Sequence, residues 1–302
     1  QGQDRVKDRH FMPTLLGFGA ILLWSALALL TSLTTRLPLF EWLALTFGLA
    51  TLFSLPMLLR HGALASLRAV PTAGWALGIV GLFGYHALYM LALKNAPTAQ
   101  AGLIAYLWPL LIVLFSMVGQ PAGRWLLPLA GGALGLIGAG LLVMDPREGG
   151  FRWEYALGYG FALACALTWS SYSVLNRRFS QVPTVAVVVY CAVAALGALA
   201  LSLLFEPWVT PTSLEWLGLV GLALGPMGLA FFVWDFGTKH GNVTLLGALS
   251  YFAPLLSTIL LVLTGRAAPS WALAAATVLI VGGAGLAAFG LRTQAGDRKK
   301  PA

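Results

Sequence analysis

The chain is cut into apolar runs of about twenty residues, and that pattern constrains its fold more than any other feature. A helix needs roughly 20 apolar residues to cross the hydrocarbon of a bilayer. Ten runs meet that length: 14–33, 38–59, 73–94, 98–118, 126–143, 157–178, 184–204, 214–235, 243–264 and 270–291. Only 9% of the 302 residues are charged, against about 25% in a soluble domain. So few charges cannot cover a water-facing surface, so the outside of the fold faces lipid. The expected fold is an all-α membrane protein of ten transmembrane helices. The connectors are short and carry turn formers, such as Gln120-Pro121-Ala122-Gly123 and Asp145-Pro146-Arg147-Glu148-Gly149-Gly150, and none has room for a separate soluble domain. The first run begins near Pro13 with no small-residue cleavage site after it, and reads as a retained helix.

The net charge of +8 follows from the same map and does not point to nucleic acid. Most Lys and Arg lie in connectors. With the N-terminus inside, 13 of the 18 fall on the inner side, among them Arg5, Arg60, Arg124, Arg177 and Lys239; the outer side holds Arg36, Lys94, Arg147, Arg152 and Arg266. Inner loops carry the basic excess, so both termini are expected in the cytoplasm. Trp42, Trp75, Trp125, Trp153, Trp208, Trp216 and Trp271 fall at span ends or in connectors, as an interfacial belt does. Cys165 and Cys191 lie inside apolar runs and read as buried thiols. No metal or disulfide spacing is present, and no cofactor is expected.

Shifted by 145 residues, the chain matches itself without a gap. Trp24-Ser25 falls on Trp169-Ser170, Lys94 on Lys239, Gly102 on Gly247, Tyr106 on Tyr251, and Pro109-Leu110-Leu111 on Pro254-Leu255-Leu256. Matched Trp, Lys, Tyr and Pro at one offset carry weight that matched Leu or Ala would not. The offset spans five helices, an odd number, so the second half enters the membrane from the opposite side. Such inverted repeats build secondary transporters, with the substrate site near the midplane between the halves.

Span centres are nearly free of ionisable groups, whose insertion costs at least about 2.5–3.5 kcal/mol. His86 is the exception, flanked by Tyr85 and Tyr89. It either faces a cavity and binds a polar substrate group or is a neutral helix-packing histidine. Spans 4 and 9 carry matched Tyr-x-x-Pro elements, Tyr106 to Pro109 and Tyr251 to Pro254. Proline removes the hydrogen bond to the carbonyl four residues earlier, which would free the carbonyls of Ala105 and Ser250 to grip an ammonium group. Trp24, Trp108, Trp169, Phe231 and Trp234 join these tyrosines from spans 1, 4, 6 and 8. Together they suggest a cavity lined by aromatic faces, suited to flat side chains and to cations.

Ten spans, the five-plus-five repeat and the Trp-Ser pair in spans 1 and 6 resemble the drug/metabolite transporter superfamily, in its two-repeat EamA branch. Leu22-Leu23-Trp24-Ser25, Tyr106-Leu107-Trp108-Pro109, His240-Gly241-Asn242-Val243-Thr244 and Ser250-Tyr251-Phe252 are similar to that branch's exporters of aromatic amino acids. The resemblance implies a bacterial inner-membrane exporter of aromatic amino acids, with methionine, threonine and some amphipathic cations as further substrates. It also implies a central cavity formed by spans 1, 3, 4, 6, 8 and 9. The expected organisation is a cytoplasmic segment 1–13, a first five-helix repeat 14–145, a periplasmic connector 146–156, a second repeat 157–291 and a cytoplasmic tail 292–302. The expected partners are the small-molecule substrate and membrane lipid, with a monomer the expected state. A small four-span multidrug exporter would place a glutamate in the first span, and Thr14 to Leu33 has none. Phosphate esters call for cavity-facing Arg or Lys, and an enzyme for a catalytic set at depth; neither is present. Proton antiport through His86 and passive facilitation both stay open.

Overall fold

The computed structural model describes residues 2–143 and 152–297, with side chains described over 11–142 and 152–291. The connector around Glu148 and the tail around Lys299 lie outside the described residues. The described chain is helical throughout, in the order α1 (Gly2–Ser25), α2 (Leu27–Thr31), α3 (Leu39–Ser54), α4 (Ala63–Arg68), α5 (Thr72–Ile79), α6 (Tyr85–Asn95), α7 (Thr98–Ala105), α8 (Trp108–Ser116), α9 (Leu126–Val143), α10 (Ala156–Leu175), α11 (Ala186–Phe205), α12 (Ser213–Leu224), α13 (Ala230–His240), α14 (Val243–Leu249), α15 (Phe252–Leu263) and α16 (Trp271–Asp297). Helix α1 begins at Gly2, well before the expected start at residue 14.

Several short helices join end to end. Eight stretches among the described residues are long and apolar enough to cross a membrane: Phe11–Thr31, Leu39–Leu59, Thr72–Asn95, Thr98–Ser116, Ala186–Phe205, Ser213–His240, Val243–Leu263 and Trp271–Leu291. Two of the ten expected runs fall short of that standard. Leu126–Leu142 is apolar but shorter. Helix α10 has 20 residues, but Thr168 to Ser173 (Thr-Trp-Ser-Ser-Tyr-Ser) lowers its apolarity, and that polar stretch is the part that meets the centre of the molecule.

The 145-residue repeat reappears in the backbone. Single π-helical turns sit at Val80–Gly84 and Gly225–Leu229, and the helices that follow them, α6 and α13, each have 11 residues. Packing is reciprocal between the halves. Helix α1 lies on α13, α14 and α15 as α10 lies on α6, α7 and α8, while α3 pairs with α11 and α9 with α16. Glycine permits the closest of these approaches: a Cβ on Gly131 would stand 2.3 Å from the Gly283 carbonyl oxygen, and one on Gly135 would stand 2.3 Å from the Tyr251 ring. These glycines therefore serve packing within the chain.

Polar side chains pin the helix ends. Arg36 makes a two-pronged contact with Glu215, Nε–Oε1 2.9 Å and Nη2–Oε2 2.8 Å, and Glu215 completes a capping box with Thr212 at the start of α12. Glu206 accepts from the Phe40 and Glu41 backbone N–H groups at the start of α3 and pairs with Lys94. Glu41 is itself buried and accepts from the Val209 N–H at 2.8 Å. Trp42, expected in the interfacial belt, is buried, and its indole N–H donates to Thr34. Trp153 and Trp271 are over 90% exposed, as belt residues should be. Both cysteines are buried and unpaired by disulfide.

Candidate functional site

Each π turn loosens the helical ladder just before a side chain that reaches the centre. In the first half that side chain is His86; 145 residues on it is Phe231. Their rings meet at 5.5 Å and 89°. The Trp24 and Trp169 rings, also repeat mates, lie 5.9 Å apart. Trp24 is held by its indole N–H, which donates to the Pro226 carbonyl in the second π turn at 3.0 Å.

These residues surround a central cavity of about 130 Å³. Trp24, Tyr85, His86, Tyr89, Tyr106, Trp108, Trp169 and Phe231 line it, with Leu27, Gly102, Ala105, Met227 and Ala253. Among the described residues, no Asp, Glu, Lys or Arg lines it. Tyr85 and Tyr89, one turn apart, present parallel rings at 6.2 Å and 7°. Trp169 touches Tyr85 at 5.2 Å, Phe231 at 5.9 Å and Trp108 at 6.5 Å. The hydroxyls of Tyr85, Tyr89 and Tyr106 and the indole N–H groups of Trp108 and Trp169 have no protein partner among the described residues, none is fully buried, and all five residues line the cavity. The wall therefore offers aromatic faces and neutral hydrogen-bond donors.

His86 is differently placed. Its Nδ1 lies 2.7 Å from the Leu82 carbonyl oxygen. Its ring is met edge-on by Phe47 at 5.0 Å, Tyr85 at 4.9 Å and Phe231.

Five expected site residues do not line the cavity. Trp234 lies behind it, fully buried against Trp24 at 5.1 Å, with its indole N–H on the Ser173 hydroxyl. Pro109 and Pro254 do not kink continuous helices. The helices break before them, at Tyr106-Leu107 and Ser250-Tyr251, and each proline sits in the first turn of the helix that follows, where its missing N–H leaves no gap in the ladder. Ser250 offers no free carbonyl: that oxygen accepts from the Ala253 N–H at 3.1 Å. Tyr251 closes the other break. Its hydroxyl accepts from the Leu110 N–H at 3.2 Å and donates to the Tyr106 carbonyl at 3.2 Å. Those are the two groups a continuous helix would have joined directly.

Sequence reasoning passed over two features. Leu27, Met227 and Gly102 lie within one turn of Trp24, Phe231 or Tyr106, and Ala253 is the repeat mate of Trp108; helical spacing was the available signal. The second feature is a buried polar cluster on α13. Asp235 and Lys239 pair at 2.7 Å, with side chains 0% and 1% exposed. Asp235 also accepts from Tyr172, Asn176 and Thr184, and the Lys239 Nζ donates to the Val182 carbonyl. Lys239 therefore does not belong to an inner connector, because α13 carries it inside the protein. Tyr172 links this cluster to the cavity wall, its ring 5.2 Å from Trp169.

Comparison with known proteins agrees with this geometry. The EamA-like transporter family matches twice, over residues 12–144 and 156–289. A protein of Ancylobacter novellus named aromatic amino acid exporter YddG is 53% identical over 279 residues, 91% of this chain and 96% of that protein. The Escherichia coli K12 protein of the same name is 26% identical, over 89% of this chain and 94% of that one. A solved crystal structure superposes with a TM-score of 0.85 at 51% identity, covering 92% of this chain and 98% of that one. The two matches cover most of the described helices, and the chain belongs to the EamA-like transporter family as a multi-pass membrane protein.

Proposed function

We propose that this protein exports aromatic amino acids across the bacterial inner membrane through the central cavity. The observation that carries the reading is the cavity wall itself: stacked and edge-on aromatic rings, neutral donors and no charged side chain. A flat apolar side chain gains about 0.5–1.5 kcal/mol per aromatic pair beyond the area it buries. The zwitterionic end carries no net charge and needs no ionised partner. The names of the relatives support the same substrate class.

In this reading ten helices cross the membrane in two inverted repeats, 14–145 and 157–291, with both termini cytoplasmic and 146–156 periplasmic. Reciprocal packing of the halves, paired π turns and the double family match support it. One chain suffices, because both halves contribute to one cavity. Purified protein in liposomes should take up labelled phenylalanine faster than a lipophilic cation. A faster cation flux would favour drug export. Repeating the assay with an imposed pH gradient separates proton antiport from facilitation.

A further inference from the structure

The position of His86 fixes more than its presence in the wall. A carbonyl oxygen can only accept, so the contact between Nδ1 and the Leu82 oxygen at 2.7 Å requires the proton on Nδ1. The adjacent π turn accommodates the contact: the Tyr85 N–H reaches back to the carbonyls of Leu82 and Val80. Three rings meet the imidazole at 88–89°, and with the Nδ1 bond they resist a ring flip. Among the described residues no carboxylate lines the cavity to pair an imidazolium, so the ring is neutral and Nε2 holds a bare lone pair. The Nε2 atom has no protein partner among the described residues and is not among the buried unpaired atoms, and His86 lines the cavity.

Around it the remaining polar groups are hydroxyls and indole N–H groups, all of which can donate. Beside the imidazole and in edge contact with it, Phe231 stands where the repeat would place a second histidine.

We infer that His86 acts as a hydrogen-bond acceptor in the site: its Nε2, which cannot donate in this tautomer, receives the α-ammonium of the substrate and so turns that end of the zwitterion toward α6. The carboxylate is then left to the tyrosine hydroxyls and indole N–H groups. This rests on the amino-acid reading above and assigns His86 the role opposite to that of a carboxylate donor.

The test is ¹⁵N NMR of the histidine-labelled, full-length protein in detergent, with the His86 signal assigned by its loss in His86→Asn. The expected result is a protonated Nδ1, a bare Nε2, and an Nε2 resonance that moves on adding phenylalanine. A proton on Nε2, or an Nε2 signal indifferent to phenylalanine in a preparation that transports it once reconstituted into liposomes, overturns the inference and leaves the exporter reading standing. Phenylalanine that neither binds nor crosses would instead overturn the exporter reading. In a second measurement, His86→Asn keeps an amide near the Leu82 carbonyl but cannot reach the Nε2 position. Phenethylamine, which lacks the carboxylate, should bind it about tenfold more weakly than wild type, and 3-phenylpropionate, which lacks the amine, should bind unchanged. The reverse pattern, or equal loss of both, overturns the inference.

Discussion

Trp169 connects more of the site than any other side chain: it touches Trp24, Tyr85, Trp108, Phe231 and Trp234 and leads through Tyr172 to the buried Asp235. Truncating it to alanine would cost about 3–5 kcal/mol of stability, which would confuse lost folding with lost transport. Trp169→Phe keeps an aromatic ring while removing the indole N–H and part of the stacking face. It should lower phenylalanine uptake about tenfold, mostly through KM, while thermal unfolding in detergent shifts little. Uptake at the wild-type rate would remove Trp169 from the recognition surface. Most of the wall was legible in the sequence for a simple reason. Trp24, Tyr85, His86, Tyr89, Tyr106, Trp108, Trp169 and Phe231 are polar or aromatic residues near the middle of apolar runs, where each needs a partner or a cavity. Leu27, Met227 and Ala253 were not legible, because an aliphatic residue in a membrane helix looks the same whether it faces lipid, a neighbour or a ligand.

Broken helices, rather than kinked ones, shape the site at the level of elements. The sequence placed the irregularity at the two Tyr-x-x-Pro motifs, but it could not show that the chain breaks ahead of each proline, the first break being bridged by Tyr251 reaching across from the other half. Tyr251→Phe leaves the Leu110 N–H and the Tyr106 carbonyl without their bridge. An unsatisfied buried group costs about 1–3 kcal/mol, so the variant should melt several degrees lower, measured by tryptophan fluorescence. An unchanged melting temperature would mean the two groups pair by another route. The Asp235–Lys239 pair gives a sharper case. Removing one member of a buried ion pair costs about 3–5 kcal/mol, whereas replacing both by apolar residues is often neutral. Asp235→Leu should therefore lose most of its folded yield, and the double variant Asp235→Leu with Lys239→Met should recover much of it. Failure of the double variant would show that Asn176 and Thr184 need the carboxylate more than the lysine does. The sequence hid this pair because α13 runs five residues past the end of the apolar run, so Lys239 read as a connector charge.

For the whole molecule, the repeat and the basic bias together predict that both ends face the cytoplasm. Cys165 and Cys191 are buried and should stay silent to thiol reagents in the folded protein. A cysteine introduced at Glu148 should then react with an impermeant maleimide added outside cells, and one at Lys299 should react only after permeabilisation; the opposite pattern would reverse the map. The number of crossings was less legible than the repeat, since Leu126–Leu142 is short and α10 carries its polar residues on the cavity side. The central claim is that phenylalanine occupies the aromatic cavity between the halves. Photolabelling the purified protein with radiolabelled p-azidophenylalanine, followed by peptide mapping, tests it directly. The label is predicted in peptides that contain Tyr85 to Tyr89, Tyr106 to Trp108 or Trp169, and excess unlabelled phenylalanine should remove it. Label confined to other segments, or label in these peptides that phenylalanine fails to displace, would contradict the account.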